Sequence, residues 1–417
     1  MALLFGASAW AEGVQTSTSV APEITTFALP RGGRLRLSGY LHADAVVYDQ
    51  LSSDELDPST RSPLNEERFA IRRAGLRADA GWGFAGAGIE IEGNTNNGPN
   101  LRLLAAEAWA RWPSDEAVPL LELVIGQTKV PFGKEAPTLA KTRLFHTSPL
   151  FVRALFPGEY DLGLILRGGW EALRYSVALM NGDPIGEPKV GGQDVTATKD
   201  LIARLGLDTE LGLVHLSAGA SALYGQGLHA GTPATKDLLT WKDQNEDGLV
   251  QLSELQSIPG SAATPSIGFE RFALGADLRL VVAWDESWET RFFGELVWAK
   301  DLDRGLFVAD PVAASRSLRE LGFVIGVVQA LGPWVDLGLR LDRYDGDADA
   351  TDLAGATRVP SSVAITDLRA VLGLHWEDHL GISAEYLHQE NLLGRGENGR
   401  PARLPSDSLS LRAKVGF

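Results

Sequence analysis

Hydrophobic and polar residues alternate along most of the chain, from about residue 34 to the C-terminus. The last segment shows the pattern most clearly. There, Leu409, Leu411, Ala413, Val415 and Phe417 alternate with polar or charged residues and one glycine. A period of two places successive side chains on opposite faces of a β-strand. The alternation therefore predicts strands with one apolar face suited to lipid and one polar face suited to water.

Sixteen segments of this kind follow one another along the chain. They cover residues 34–48, 67–80, 83–93, 102–112, 121–129, 160–168, 172–181, 199–209, 212–224, 268–283, 287–300, 317–331, 334–344, 366–376, 379–390 and 406–417. An antiparallel barrel with both termini on the same side needs an even number of strands. We therefore predict an all-β fold, a sixteen-stranded antiparallel transmembrane β-barrel over residues 34–417.

The connections between these segments alternate in length. The long ones cover residues 49–66, 94–101, 130–159, 182–198, 225–267, 301–316, 345–365 and 391–405. The short ones cover residues 81–82, 169–171, 208–211, 284–286, 332–333 and 377–378. Outer-membrane barrels have long extracellular loops and short periplasmic turns, and we predict that arrangement here. A soluble sandwich gives no reason for such regular alternation.

The tryptophans cluster at one predicted level of the barrel. Seven of the eleven lie in or beside the short connections, namely Trp82, Trp112, Trp170, Trp284, Trp288, Trp334 and Trp376. Aromatic residues form girdles at the two membrane–water interfaces of such barrels. The alternative, a set of scattered core tryptophans, does not explain why the long connections contain only Trp241.

Composition excludes several other classes of protein. No stretch approaches the roughly 18 consecutive apolar residues that a spanning helix needs, so any membrane crossing must use strands. The chain has no cysteine, which excludes disulfides, a thiolate nucleophile and a cysteine zinc site. Its formal net charge of −16 argues against a nucleic-acid partner. Because no G-x-S-x-G motif or Ser/His/Asp grouping is evident, we predict that the protein is not an enzyme.

The N-terminal residues resemble the end of a secretory signal. Residues 2–10 are apolar and small, and Ala9-Trp10-Ala11 fits an A-x-A processing site. We interpret residues 1–11 as the remnant of a signal peptide and residues 12–33 as an N-terminal periplasmic segment. An ordinary apolar N-terminus is the alternative interpretation.

One stretch carries information beyond the barrel pattern. Residues 123–135 read L-V-I-G-Q-T-K-V-P-F-G-K-E, and upstream residues 69–74 read F-A-I-R-R-A. This combination resembles the phosphate-selective porin O and P family, in which an R-R-A strand precedes G-Q-x-K-V-P-F-G. The specific resemblance covers about residues 67–168. It implies a homotrimeric, sixteen-stranded outer-membrane channel whose third long loop, here residues 130–159, folds into the pore.

The same loop is rich in cations. Between Gln127 and Tyr160 the cations are Lys129, Lys134, Lys141, Arg143 and Arg153, against only Glu135 and Glu159. Cations inside a pore concentrate anions and exclude cations, so we predict that these five residues set an anion preference. The alternative is that they are solvated loop charges. Polar positions on the strands mix both signs, whereas phosphate-selective members of the family have strongly basic pores, so phosphate specificity stays open.

The loop over residues 225–267 contains a complete EF-hand sequence pattern. Residues 243–254 read D-Q-N-E-D-G-L-V-Q-L-S-E. The predicted ligands of a structural calcium ion are Asp243, Asn245, Asp247, Leu249 through its carbonyl, Gln251 and Glu254. We expect residues 235–241 and 253–258 to form short flanking helices. A solvated acidic loop is the alternative.

Together these features predict an outer-membrane porin of a Gram-negative bacterium that lets small hydrophilic solutes diffuse passively, with anions favoured. The cargo could be phosphate, pyrophosphate, sugar acids or simple salts. The expected partners are outer-membrane lipid, two further copies of the chain and the barrel-insertion machinery, which the aromatic C-terminus of such barrels implies. The alternative function is a non-conducting scaffold or adhesin that displays a calcium-stabilised loop. A barrel lipase is disfavoured because the nucleophile motif is missing.

Overall fold

A computed structural model describes most of the chain. The described residues are 25–50, 57, 59, 67–95, 99–186, 199–244, 246, 248–285, 287–354, 357–360, 363–376, 379–392, 394–395, 401–403 and 406–417. The proposed signal remnant 1–11 and the turn predicted at 377–378 lie outside these residues, as does most of the loop 49–66.

Sixteen long strands form one closed antiparallel barrel. They are β1 Arg34–Gln50, β2 Arg68–Trp82, β3 Ala85–Asn94, β4 Asn100–Trp112, β5 Leu121–Lys129, β6 Tyr160–Trp170, β7 Leu173–Met180, β8 Asp200–Leu211, β9 Val214–His229, β10 Ile267–Ala283, β11 Trp288–Lys300, β12 Arg319–Leu331, β13 Val335–Asp345, β14 Ile365–Trp376, β15 Leu380–Glu390 and β16 Asp407–Gly416. Each strand pairs with its neighbour in the chain, and β1 pairs with β16 to close the ring. The predicted fold class is confirmed.

Several predicted turns are displaced by two or three residues. The turn between β2 and β3 consists of Gly83 and Phe84, not residues 81–82, because Trp82 still pairs with Ala85. Similarly, Gly212 and Leu213 form the turn predicted at 208–211. Two-residue hairpin turns need positive φ, which glycine adopts easily, and Gly83 and Gly212 have φ of 58° and 67°. The turn predicted at 169–171 lies at Glu171 and Ala172.

The alternation of the sequence corresponds to the two surfaces of the barrel. On β14, Leu368 and Leu372 are 50% and 43% exposed on the outer surface, whereas Asp367 and Arg369 are buried inside. The seven turn-side tryptophans are all exposed on the outer surface, between 44% and 66%. An apolar exterior with an aromatic girdle and a polar interior is the arrangement that a bilayer selects.

Inward-facing charges of the barrel wall pair with one another within a strand, between adjacent strands and across an intervening strand. Arg204 on β8 and Asp277 on β10 lie 2.5 Å apart. On β14, Arg369 binds Asp367 of the same strand at 2.7 Å and Glu385 of β15 at 2.6 Å. These pairs link nearby strands on the inner face of the barrel wall.

Shorter elements occupy the connections. A strand Thr26–Ala28 extends the sheet beside the start of β1, and small hairpins pair Leu238–Trp241 with Leu255–Ile258, Thr351–Ala354 with Thr357–Pro360 and Gly394–Arg395 with Pro401–Ala402. The short helices are α1 Leu150–Leu155 and α2 Pro311–Ala314, with 3₁₀ turns at Pro30–Gly32 and Leu252–Glu254. Within the described part of the chain, no helix has the length and apolar character needed to span a membrane.

Candidate pore and its charged lining

Residues 130–159, called the inner loop below, connect β5 to β6 and lie inside the barrel. Phe132, Phe151 and Phe156 of this loop are fully buried in an apolar cluster with inward-facing residues of β5 to β14. The backbone N–H groups of Lys134 and Glu135 both donate to one carboxylate oxygen of Glu295 on β11, at 3.0 and 2.9 Å. The loop therefore crosses the lumen from its own strands to the opposite wall.

A second anchor holds the middle of the inner loop near β15 and β16. The N–H of His146 donates to Glu385, and its ring nitrogens hydrogen-bond to the Ser410 and Ser383 hydroxyls at 2.8 and 2.9 Å. The guanidinium of Arg412 donates to the His146 carbonyl at 2.9 Å. Burial lowers the pKa of His146 to about 4, so the ring is neutral at physiological pH.

Two cavities adjoin the inner loop, one on each side. The larger, of about 1080 Å³, is lined by residues of the short turns such as Gly332 and Pro333, and is called the turn-side cavity. The smaller, of about 270 Å³, is lined by Asn94 and Gly186 at the other end and is called the loop-side cavity. Both share four lining residues, His42, Arg73, Ala140 and Arg143, which mark the boundary where loop and wall face each other.

An extra residue in β2 directs two successive arginines into the lumen. The pairing of β1 with β2 shifts between His42, which faces Arg73, and Ala43, which faces Ile71. Arg72 therefore has no residue opposite, which is the definition of a β-bulge. Arg72 lines the loop-side cavity and Arg73 lines both cavities. Alternation alone would place only one of the two on the inner face.

All five cations predicted to set the anion preference line a cavity. Lys129, Lys134 and Lys141 line the turn-side cavity, Arg153 the loop-side cavity and Arg143 both.

Two of the five share one carboxylate, which compensates one of their two charges. The ammonium of Lys129 lies 2.5 Å from Glu159, and the guanidinium of Arg143 lies 2.7 Å from the other oxygen of the same carboxylate. Burial alone would raise the pKa of Glu159, but Arg143 and Lys129 hold it well below its usual range.

The charged residues that line the two cavities are predominantly basic. The turn-side cavity has ten Lys or Arg residues and six Asp or Glu residues, and the loop-side cavity has six and two. This excess contrasts with the net charge of −16 for the whole chain. Sequence reasoning missed the contribution of Arg77, Arg102 and Arg167, although each occupies a polar position of an alternating strand.

The predicted calcium loop closes a hairpin, not a pair of helices. The expectation of flanking helices is wrong, because Leu238–Trp241 and Leu255–Ile258 pair as strands that prolong the β9–β10 ribbon. Asp243 accepts the N–H of Gly248 at 2.8 Å, and Gly248 has φ of 73°.

The carboxylate of Glu254 is buried beside the hairpin. It accepts hydrogen bonds from the Trp241 indole at 3.0 Å and from the Gln244 N–H at 3.1 Å. The predicted ligands Asn245 and Asp247 lie outside the described residues. No group of three acidic or histidine residues suited to a metal occurs among the described ones.

Solved structures with the same fold include an outer membrane channel. The outer membrane channel DcaP of Acinetobacter baumannii is 13% identical over 94% of this chain and 99% of its own, with a TM-score of 0.56. OprB of Pseudomonas putida is 12% identical over 93% and 94%, with a TM-score of 0.56. OmpF of Salmonella typhi is 10% identical over 94% and 100%, with a TM-score of 0.52. No protein-family model and no curated protein matches the chain, so the resemblance to phosphate-selective porins stays a prediction.

Proposed function

We propose that this barrel is an outer-membrane channel through which small hydrophilic solutes diffuse passively, with anions favoured. The observation that carries the proposal is the pair of cavities on the two sides of the inner loop, in both of which arginine and lysine outnumber aspartate and glutamate. A charged lining inside an apolar barrel wall raises the local concentration of ions of the opposite sign. The polar interior and apolar exterior support a position in the outer membrane.

Planar-bilayer recording of the purified protein tests the proposal directly. Stable single-channel conductance is expected, and in a potassium chloride gradient the reversal potential should show chloride as the more permeant ion. Added phosphate that blocks the chloride current would support phosphate as cargo. A reversal potential that favours potassium would contradict the anion preference.

A matched pair of lysine variants tests the role of the inner loop. Lys134 and Lys141 line the turn-side cavity, so replacing both with glutamine should lower the anion-to-cation permeability ratio. Lys236 lies exposed in the connection between β9 and β10, outside both cavities, and Lys236→Gln is the control. Equal ratios for the wild type and the double variant would exclude these lysines as determinants.

The alternative of a display scaffold has its own supporting observation. The hairpin beyond β9 and β10 exposes several large apolar side chains at its tip, with Leu249 67%, Val250 66% and Leu252 89% exposed. Such groups are suited to contact a partner outside the barrel. Correctly folded protein that conducts no ions would make this function the better explanation.

We also propose that residues 243–254 bind a structural calcium ion. The full ligand pattern of the sequence supports this, together with the positive φ of Gly248 at the bend. Because the indole of Trp241 contacts Glu254, bound terbium should show tryptophan-sensitised luminescence that calcium displaces. Asp243→Asn should abolish the signal. No luminescence from the wild type at millimolar terbium would contradict the site.

We further propose a homotrimer that contacts lipid over the rest of its surface and is inserted through its C-terminal strand. Support for a subunit contact comes from the outer faces of β2 to β4, which are rich in alanine. Leu76, Ile89 and Trp112 are exposed on the outer surface of these strands. The alanines on the same strand faces are Ala74, Ala78, Ala80, Ala85, Ala87, Ala106, Ala108 and Ala110. Mass measurement of the detergent-solubilised protein would show three copies, and a monomer would contradict the proposal.

A further inference from the structure

The first part of the connection between β11 and β12, residues 301–304, is buried inside the barrel beside the inner loop. Leu302, Asp303 and Arg304 are all nearly completely buried. One oxygen of Asp303 accepts the N–H groups of the four residues from Gly305 to Val308. Its other oxygen accepts the Tyr344 hydroxyl from β13 at 2.8 Å. The segment is therefore held in one compact conformation against the barrel wall.

Arg304 joins this segment to β8 and to Gly182, which lies in the connection that follows β7. Its guanidinium lies 2.6 Å from Asp200 on β8 and donates to the carbonyl of Gly182 at 3.1 Å. Arg271 on β10 binds the same carboxylate and the same carbonyl. Breaking a buried pair of this kind is strongly destabilising, because the partner charge is left without compensation. Arg304 is thus the main attachment of residues 301–308 to β8.

The same segment supports the back of helix α1 in the inner loop. The N–H of Arg304 donates to the Ala154 carbonyl at 2.8 Å. A Cβ on Gly305 would overlap the Arg153 carbonyl oxygen, so the two backbones are in direct contact. Leu302 shares the buried apolar cluster of Phe151 and Phe156. Residues 301–318, all of them described, line neither cavity, so the segment acts on the two cavities through the inner loop that it supports.

We propose that Arg304 is a positioning residue that sets the width of the channel. By holding residues 301–308 behind α1, it keeps the inner loop pressed toward β1 and β2 and keeps the β8–β13 side of the lumen filled. This proposal rests on the channel function proposed above. Release of the segment removes the support of α1 and opens space on the filled side of the lumen.

Two independent variants test the proposal in planar bilayers. Arg304→Met removes the attachment, and Gly305→Ala forces the two backbones apart without changing any charge. Arg304→Met should raise single-channel conductance, on the order of twofold, and admit larger polyethylene glycols. Gly305→Ala should lower both, because its methyl group pushes α1 further toward β1 and β2. The matched control is Arg316→Met, because Arg316 pairs with Asp347 at the exposed end of the same loop. Arg304→Lys should restore part of the wild-type behaviour.

The outcomes separate this inference from the channel function itself. A folded wild type without conductance would overturn the channel, whereas a conducting wild type with unchanged Arg304→Met and Gly305→Ala variants would overturn the positioning role. A shift of the reversal potential in Arg304→Met alone, with unchanged conductance, would mean that Arg304 acts through its charge, which also contradicts the proposal. If Arg304→Met does not fold, Gly305→Ala decides the question.

Discussion

At the scale of single residues, Glu159 is the least expected feature of the lumen. It is nearly fully buried, pairs with both Lys129 and Arg143, and has a φ of 66°. A non-glycine residue in the left-handed region costs about 1–3 kcal/mol, which the surrounding contacts must offset. Counting charges along the sequence treats Glu159 as a small correction, whereas its position cancels part of the field at the boundary between the two cavities.

A charge series around Glu159 should shift ion selectivity in a predictable order. Glu159→Gln adds one net positive charge, Lys129→Met removes one, and the double variant keeps the wild-type total. One unit charge near a passing ion in water is worth on the order of 1 kcal/mol, or about a fivefold change in permeability ratio before screening. Reversal potentials should rank Glu159→Gln as most anion-selective and Lys129→Met as least.

The double variant separates charge from structural damage. If it matches the wild type, net charge decides selectivity. If it departs from the wild type as far as either single variant does, the ion pair acts by holding the inner loop and the electrostatic explanation is wrong.

Selectivity should also depend on pH through Lys134. Burial lowers the pKa of Lys134 to about 8, with Arg204 and Arg279 nearby contributing in the same direction. The ammonium is therefore charged below that pH and loses its charge above it, unlike an ordinary lysine of pKa ~10.4. Anion preference should fall when the pH rises from about 7 to about 9. Lys134→Gln should flatten this dependence in reversal-potential measurements, and an equally steep fall in the variant would assign the titration to another group.

At the scale of elements, the inner loop depends on a glycine at its first contact with the far wall. Gly133 has φ of 62°, and a Cβ there would overlap a carboxylate oxygen of Glu295. The same carboxylate accepts the next two N–H groups, so it cannot move away without losing them.

Replacing Gly133 with alanine should destabilise the barrel more than the same change in a turn. Gly212 has φ of 67° but open space around its Cβ position, so Gly212→Ala incurs only the left-handed strain of about 1–2 kcal/mol. Gly133→Ala should cost about 1–3 kcal/mol more through overpacking. Thermal unfolding in detergent compares the two variants. Equal melting temperatures would show that Gly133 is not tightly packed against Glu295.

The β-bulge at Arg72 shows how an element can depart from its own pattern to serve the pore. A regular strand would direct one of the two arginines toward lipid, where a charge is costly. The extra residue lets both face water, and it also changes which residues of β1 oppose β2. Two adjacent arginines in an otherwise alternating segment of a barrel sequence therefore indicate a bulge.

At the scale of the whole molecule, the barrel has a filled side and an open side. The apolar cluster of the two inserted loops packs against β5 to β14, whereas the cavities border mainly β1 to β4 and β16. In the proposed channel, this arrangement places the ion path close to the arginines of β1, β2 and β16. The width and charge of the channel thus depend on the same packing.

Leucine-to-arginine variants can test whether the outer surface of the barrel faces lipid. Leu339 on β13 and Leu239 in the hairpin beyond β9 are 55% and 65% exposed. If the strands lie in lipid, Leu339→Arg should cost about 2–4 kcal/mol, the value for arginine near the bilayer midplane. Leu239→Arg should stay within about 0.5 kcal/mol of wild type. Denaturant unfolding from lipid vesicles measures both, and similar small effects would contradict a membrane position for β13.

Residue order alone was enough to specify the barrel, its two surfaces and the tryptophan girdle. The alternation of side chains, the turn residues and the positions of the aromatic residues are local properties of the sequence. Each strand needs only its neighbouring strands to form its backbone hydrogen bonds. The residues of the β14 face and of the C-terminal strand could be assigned to lipid or lumen from their order. Four of the five cations predicted to matter also lie in the one loop that the motif singled out.

The positions of the loops inside the lumen, by contrast, depend on contacts that exist only in the folded barrel. The contacts of His146 with Glu385 and of Arg304 with Asp200 join residues 239 and 104 positions apart, and no periodicity in the sequence records such pairs. The hairpin in place of the expected helices at the calcium loop has the same origin, because the long β9–β10 ribbon imposes strand pairing on residues whose local pattern is ambiguous. Strand formation follows from local order, whereas loop placement depends on which distant charges and apolar groups the closed barrel brings together.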